Sequence, residues 1–310
     1  MFHNFALIND NETTKEKSKE FLSSVGFDKE TAFADYKNNW EVVEINSTRH
    51  KHVIPADYIT ASGNKDNNTV ILVHGISGDR TTVYPMCELF LNEGYNVLCY
   101  DQRNCGDNKA KYTSFGYLES NDLSDCIKYV EGNISDDKSI TLFGQSSGAT
   151  TISLYACQSH AKEHIDFIIL DSPLVNFEDM VRDSIKDIEL KLPKNYMLLC
   201  GTWANKIKLG FFYGDIDMKN KMYDCMIPTL IIQSQKDTKS SYEAAETIYD
   251  MIPHNSKRMC TLPSSNHMMG FYDYPDEYKS TVKSMMATYA DGSTGEAVVE
   301  PLPEEDEKSK

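Results

Sequence analysis

Short apolar runs alternate with longer helical patterns along most of this chain. The β-type runs are residues 40–47, 53–60, 69–75, 95–102, 139–144, 166–171, 229–235 and 257–263. The helical patterns between them fall at about 83–93, 117–132, 147–160, 240–252 and 275–290. Because parallel strands need long crossover connections, this alternation predicts a mainly parallel sheet covered by helices on both faces. The first two runs lie close together and predict an antiparallel pair.

The alternation breaks once, where residues 173–227 carry helical periodicity without a clear strand. We interpret this segment as a small helical cap inserted over one edge of the sheet. Residues 1–39 form a predicted helical extension with an amphipathic helix near 15–25, which offers either a cover over the cap or a homodimer contact. Residues 291–310 are acidic, with few large apolar side chains, and predict a disordered tail. The α/β core would then span 40–290.

The charge balance limits the partners of the chain. There are 31 Lys and Arg residues against 47 Asp and Glu, so the net charge is -16. A field of this sign repels nucleic-acid phosphates and anionic lipid surfaces. We therefore expect no nucleic-acid partner.

The cysteine spacing and the N-terminal sequence favour a reducing compartment. No CxxC pair occurs among the eight cysteines, and most lie in apolar runs, which favours buried free thiols over disulfides or zinc. No run approaches the roughly 18 apolar residues of a membrane helix, and the N-terminus lacks the regions of a signal peptide. We expect a cytoplasmic protein without a membrane span.

A serine stands between two glycines where a predicted strand meets a predicted helix. The stretch Gly144-Gln145-Ser146-Ser147-Gly148 fits G-x-S-x-G, the pattern of a nucleophile elbow. A serine on such a turn has a strained backbone, and the flanking glycines let neighbouring elements pack close to it. Ser146 is therefore the predicted nucleophile. An ordinary glycine-rich turn or an anion-binding helix N-terminus is the alternative.

A serine hydroxyl needs a histidine base and a carboxylate that orients it, in the chain order Ser, Asp or Glu, His. Asp237 follows the run 229–235, and His267 follows the run 257–263. Both positions are carboxyl ends of predicted parallel strands, which meet at one edge of a sheet. Asp171, at the end of the run 166–171, is the alternative acid.

Acyl transfer also needs two backbone N–H groups that stabilise the oxyanion, one of them from the residue after the nucleophile. That residue is Ser147. The second candidate is Ile76, in the turn His74-Gly75-Ile76-Ser77-Gly78 after the first predicted parallel strand. We interpret His74 as a structural residue of this turn.

The ordered motifs VILVHGISG, VLCYDQRNCGDN, LFGQSSGA, IPTLIIQSQKDT and PSSNHMMGFYDYPDEY resemble those of the α/β-hydrolase superfamily, serine-hydrolase type, over about residues 40–290. The chain is most similar to its bacterial esterases, acylaminoacyl peptidases and feruloyl-type esterases. The resemblance implies the catalytic set Ser146, Asp237 and His267, the oxyanion donors Ile76 and Ser147, and neither metal nor organic cofactor. One departure is Asn104, where many relatives have glycine, so we expect that turn to differ slightly and its neighbour Arg103 to brace the loop.

The expected function is hydrolysis of carboxylic esters of small to medium apolar or aromatic acyl groups, a small-molecule substrate class. Substrate choice would be set by the cap, through apolar side chains at Met197, Leu198, Leu199, Trp203, Phe211, Phe212 and Tyr213. Two alternatives stay open. One is a peptidase of the acylaminoacyl or prolyl type, and the other is a ligand receptor or signalling module that keeps a slow triad.

Overall fold

The strands of the chain form one sheet. A computed structural model describes residues 11–175, 177–185 and 192–289. Its strands are β1 (Trp40–Asn46), β2 (Val53–Ile59), β3 (Thr69–Val73), β4 (Asn96–Tyr100), β5 (Ile140–Gln145), β6 (Phe167–Asp171), β7 (Thr229–Ser234) and β8 (Lys257–Leu262). In the described residues they lie in the order β1-β2-β4-β3-β5-β6-β7-β8.

Strand pairing follows the predicted pattern. β1 pairs antiparallel with β2, and β2 pairs antiparallel with β4. All remaining neighbours, from β4 to β8, are parallel. Every residue of β3 to β7 is buried, as expected of strands covered on both faces. The prediction of a mainly parallel sheet flanked by helices is confirmed.

Helices cover both faces of this sheet. They are α1 (Asn11–Ser24), α2 (Lys29–Ala32), α3 (Tyr84–Asn92), α4 (Glu119–Glu131), α5 (Ser147–Ala156), α6 (Ala161–His164), α7 (Phe177–Ser184), α8 (Lys194–Leu209), α9 (Tyr242–Met251), α10 (Gly270–Asp273) and α11 (Pro275–Tyr289). Apolar residues of α4, α5 and α9 pack on one face, and those of α3 and α11 pack on the other. Single 3₁₀ turns cover 34–39, 80–83, 213–215, 218–220 and 222–224.

The segment between β6 and β7 is helical where it is described. It contains α7, α8 and the last three 3₁₀ turns, and its buried side chains join the core of the α5 face. The division into an extension, a hydrolase domain with a cap at 173–227 and a tail stays a prediction, and the tail at 291–310 lies outside the described residues. All eight cysteines are free thiols. Within the described ranges, no helix has the length and hydropathy to cross a membrane.

A buried arginine joins the antiparallel strands to the parallel ones. The Arg80 guanidinium donates from Nε to Asp57 on β2 over 2.8 Å and also bonds the carboxylate of Asp101, which follows β4. The side chains of these three residues are 14%, 3% and 0% exposed. Tyr84 adds a donor to Asp57 over 2.6 Å. Without the Arg80 guanidinium, the carboxylates of Asp57 and Asp101 would be buried with no opposite charge from that side chain.

We expect Arg80→Ala to lower the free energy of unfolding by about 3–5 kcal/mol, because it leaves Asp57 and Asp101 as uncompensated buried charges. Urea unfolding followed by circular dichroism measures this loss. Arg49→Ala, at an exposed arginine, is the matched control and should change stability by no more than about 0.5 kcal/mol. Equal losses in both variants would contradict the importance of the buried network.

Candidate active site

The turn from β5 into α5 holds Ser146 in a strained conformation. Its φ of 55° and ψ of -120° are rare for a residue with a side chain and cost about 1–3 kcal/mol. The turn is held by the Ser146 N–H, which donates to the carbonyl of Asp171 over 2.9 Å. A Cβ on Gly148 would overlap the carbonyl oxygen of Val73, and one on Gly144 would lie 2.7 Å from the backbone of Gly148. Both glycines are therefore required by close packing.

Three of the predicted residues form a hydrogen-bonded chain. His267 Nε2 lies 2.8 Å from Ser146 Oγ, and His267 Nδ1 lies 2.7 Å from Asp237 Oδ2. Asp237 follows β7 and His267 follows β8, so the chain runs along the carboxyl edge of the sheet. With Nδ1–H directed at the carboxylate, Nε2 is free to accept the serine proton.

The electrostatics of Asp237 favour its ionised form. Burial opposes the charge, but the hydrogen bond with His267 and backbone N–H donors outweigh it and hold the pKa of Asp237 below its ordinary value. Those N–H groups belong to Lys239 and Ser240, which donate to Oδ1 over 2.8 and 3.0 Å. The carboxylate can therefore stay charged opposite the imidazole near neutral pH.

The alternative acid, Asp171, has other partners. Its Oδ2 accepts from Gln145 Nε2 over 2.9 Å and from the Tyr278 hydroxyl over 2.8 Å, and its Oδ1 accepts from Ser172 over 3.0 Å. Complete burial raises the pKa of Asp171, despite these donors. Its side chain braces the strand ends on either side of the elbow, and it is Asp237 that contacts His267.

The two predicted oxyanion residues flank the nucleophile. Ser147 is the first residue of α5, where backbone N–H groups have no partner within the helix. On the other side, a Cβ built on Gly75 would lie 3.2 Å from Ser146 Cβ. The next residue, Ile76, packs against the core at the edge of this contact. Ser147 thus starts a helix directly after the nucleophile, and the loop of Ile76 approaches Ser146 through Gly75, so both remain candidate oxyanion donors.

His74 holds the loop that carries Ile76. The ring is fully buried, and burial lowers the pKa of His74, so it is neutral. Its Nε2 accepts from the Gln102 N–H over 2.9 Å, while Nδ1 lies 2.7 Å from the carbonyl of Gly75. These contacts agree with a structural role for His74.

Two residues beside the site lie outside the predicted catalytic and oxyanion sets. Met268 has a φ of 60°, and its sulfur would lie 3.2 Å from a Cβ on Gly75. The thioether of Met268 and the side chain of Ser146 therefore both lie against the loop of Gly75. The G-x-S-x-G motif assigns no role to Gln145. Its pairing with Asp171 follows from the register of β5 and β6.

Known proteins share this architecture. The family model of the α/β-hydrolase fold matches residues 68–197, which include the elbow and the loop of Ile76. The chain has the α/β-hydrolase fold. A curated protein of Bacillus subtilis (strain 168), the uncharacterized protein YqkD, is 26% identical over 226 residues, which cover 73% of each chain.

Solved structures of esterases are similar to this chain in fold. Esterase Pf2001 of Pyrococcus furiosus superposes with a TM-score of 0.64 at 24% identity, covering 87% of this chain and 95% of the other. Est1E of Butyrivibrio proteoclasticus, solved with ferulic acid bound, gives 0.60 at 16% identity, with 80% and 98% covered. Such identities establish a common fold and leave the substrate open.

The loop after β4 turns at Asn104, whose φ of 58° lies in the left-handed region that glycine favours. Asparagine tolerates this region, so it is compatible with a turn of the glycine type. The expected difference from the turn of relatives stays a prediction. Arg103 braces the loop as expected, donating to the carbonyl of Tyr112 over 3.1 Å and to Asp122 over 3.2 Å.

The cap residues expected to line a pocket differ in burial, and Phe212 is half-buried. Met197, Leu198, Phe211 and Tyr213 are buried. Leu199 and Trp203 are each 54% exposed, so they face away from the core. The helical period explains this result, because residues of α8 at opposite angles cannot line the same cavity.

Replacing Asp237 by Asn removes the charge opposite His267 and is expected to lower kcat for an aryl ester by about 10³–10⁴-fold. Steady-state kinetics near neutral pH measure the change.

Asp171→Asn is the matched control, since it alters a neighbouring buried acid of the same sheet edge. We expect it to lower the free energy of unfolding by about 1–3 kcal/mol and to change kcat far less than Asp237→Asn does. If Asp171→Asn abolished turnover and Asp237→Asn did not, the assignment of the acid would be wrong.

Proposed function

We propose that this α/β-hydrolase is a serine esterase that cleaves carboxylic esters of small to medium apolar or aromatic acyl groups. The single observation that carries the proposal is the pair of contacts of His267, at 2.8 Å to Ser146 and 2.7 Å to Asp237. A base in contact with both a hydroxyl and a buried carboxylate is the arrangement that acyl transfer by serine needs.

The reaction follows from these contacts in two steps. His267 Nε2 takes the proton as Ser146 Oγ attacks the ester carbonyl, and Asp237 stabilises the resulting imidazolium. The N–H groups of Ile76 and Ser147 stabilise the oxyanion, after which His267 gives its proton to the departing alcohol. Water, deprotonated by the same ring, attacks the acyl-enzyme and releases the carboxylic acid and Ser146.

The surroundings support catalysis in a site largely closed to solvent. Ser146 is 4% exposed, and the Asp237 side chain is 0% exposed. Hydrogen bonds to a developing charge are stronger where water is excluded. The side chain of His267, at 17% exposed, is the member of the set that solvent reaches most.

An aromatic cluster supports the choice of acyl group. Phe115 lies 4.4 Å from Phe177, Tyr117 lies 4.6 Å from Phe211, and Phe177 lies 5.2 Å from Tyr213, measured between ring centroids. All five rings follow the carboxyl ends of β4 or β6, the edge that carries Ser146. Ferulic acid in Est1E, a protein of the same fold, is an aromatic acid and agrees with this choice.

The test combines labelling and turnover. Wild type and Ser146→Ala are incubated with a fluorophosphonate and with aryl esters of rising acyl length, and intact mass and initial rate are recorded. We expect a single adduct on the wild type only, a rate optimum at one acyl length, and a fall in kcat of about 10⁶-fold in Ser146→Ala.

Other outcomes distinguish the alternatives. Labelling with faster cleavage of blocked amino-acid amides than of esters would favour a peptidase. Labelling without turnover of either class would favour a receptor that keeps the triad. A Ser146→Ala variant with half the wild-type rate would exclude Ser146 as the nucleophile.

A further inference from the structure

Helix α1 is polar along nearly its whole length, yet it packs against loops at the carboxyl edge of the sheet. Its sequence NETTKEKSKEFLSS has Phe21 and Leu22 as its large apolar side chains. The residues that it buries are Thr14 and Ser18, which are 0% and 1% exposed. Buried hydroxyls stabilise a contact only when they are hydrogen-bonded, so their partners explain the position of the helix.

Ser18 binds the loop that carries Ile76. Its Oγ accepts from the backbone N–H of Asp79 over 2.9 Å and donates to the carbonyl of Thr14 over 2.8 Å. Asp79 ends this loop and caps the 3₁₀ turn 80–83. The other end of the loop is Gly75, which lies against the side chain of Ser146, so Ser18 fixes the end of the loop away from the nucleophile.

The start of α1 binds the loop after β4. Thr14 Oγ1 accepts from the Gly106 N–H over 2.9 Å, and Asn11 Nδ2 donates to the carbonyls of Gly106 and Asn108 over 2.7 and 2.9 Å. Asn11, Thr14 and Ser18 are three and four residues apart, so they form one polar stripe. Two neighbouring loops are thus held by one face of the helix.

The end of α1 reaches the short helix that follows the loop of the candidate base. The rings of Phe21 and Tyr272 meet edge to face, with centroids 6.0 Å apart. The Tyr272 N–H donates to the carbonyl of Met269, two residues after His267. A single helix therefore contacts the loop of the candidate oxyanion donor and α10, the short helix that follows the loop of the candidate base. It lies outside the residues that the family model matches.

We propose that the residues of α1 that contact the loops of the candidate site hold those loops in place for the reaction, and that Ser18 is a positioning residue, which holds the N–H of Ile76 in place through the N–H of Asp79. The proposal rests on the proposed esterase function. Without the Ser18 hydroxyl, the buried N–H of Asp79 has no acceptor among the residues that the structure describes, and the loop shifts to find one. Oxyanion donors act only within about 2.7–3.1 Å of the developing charge, so a small shift costs transition-state stabilisation.

The test compares Ser18→Ala with Ser23→Ala, the same change on the exposed side of the same helix. For an aryl ester, we expect Ser18→Ala to lower kcat by about 10- to 100-fold, with KM within about twofold of wild type, because the lost contact acts in the transition state. Ser23→Ala should keep both constants. A merely structural role would lower the melting temperature and leave kcat unchanged at 25 °C.

A kcat for Ser18→Ala within about twofold of wild type, or a rise in KM alone, would overturn the proposal. If Ser18→Ala does not fold, Phe21→Ala decides by the same separation of kcat and KM, since it changes a half-buried ring and leaves no buried amide unpaired.

Amide hydrogen exchange separates this proposal from the proposed function. In Ser18→Ala the amide of Asp79 should exchange faster than in wild type and in Ser23→Ala, and unchanged exchange would refute the contact. If the wild-type protein neither reacts with the fluorophosphonate nor hydrolyses the esters, the esterase proposal fails, and the catalytic positioning role of Ser18 fails with it. Faster exchange of the Asp79 amide in Ser18→Ala would still show that Ser18 holds this loop.

Discussion

The candidate site depends on the close approach between the start of α5 and the end of β3. Gly148 lies against the carbonyl of Val73 so closely that any side chain would overlap it. This approach forces the chain to turn sharply at Ser146, which takes a φ of 55° and directs its side chain toward the loop of Gly75. The strain is of about 1–3 kcal/mol and persists because the sheet on one side and α5 on the other allow no alternative path. The candidate base, the candidate acid and the loop of the candidate oxyanion donor all take their places relative to this turn.

Two acids at neighbouring strand ends differ in their surroundings and therefore in what they can do. Asp171 is fully buried and is bonded to Gln145, Ser172 and Tyr278, so its carboxyl group stabilises the ends of β5 and β6. Asp237 receives backbone N–H donors and the imidazole of His267, which keep it ionised. Asp171 accepts hydrogen bonds from neutral donors. Asp237 faces His267, which becomes cationic in the proposed reaction. The division follows from hydrogen-bond partners, since both side chains are buried.

Much of this arrangement could be predicted from the sequence, because buried parallel strands appear as apolar runs and the loops after them carry Ser146, Asp237 and His267 in a fixed order. The rest depends on contacts that no local pattern encodes. The helix predicted near 15–25 overlaps α1, but hydrophobic periodicity cannot show that the residues it buries are the polar Thr14 and Ser18. The left-handed conformation of Asn104 is likewise not encoded in the apolar pattern of the chain.

The loops at the carboxyl edge have backbone N–H groups that no strand pairing can satisfy, and side chains supply the acceptors. Asp101 accepts from the N–H groups of Arg80 and Asp107, and Ser18 accepts from that of Asp79. Such a bond contributes only about 1 kcal/mol in net stability, whereas leaving a buried donor unpaired costs about 1–3 kcal/mol. Polar contacts of this kind therefore specify where a loop lies more strongly than they stabilise the fold. Catalysis of the proposed kind requires backbone N–H groups to lie within a few tenths of an ångström of their place beside the reacting atom. Hydrogen bonds that fix the position of a loop serve this requirement better than additional apolar burial does.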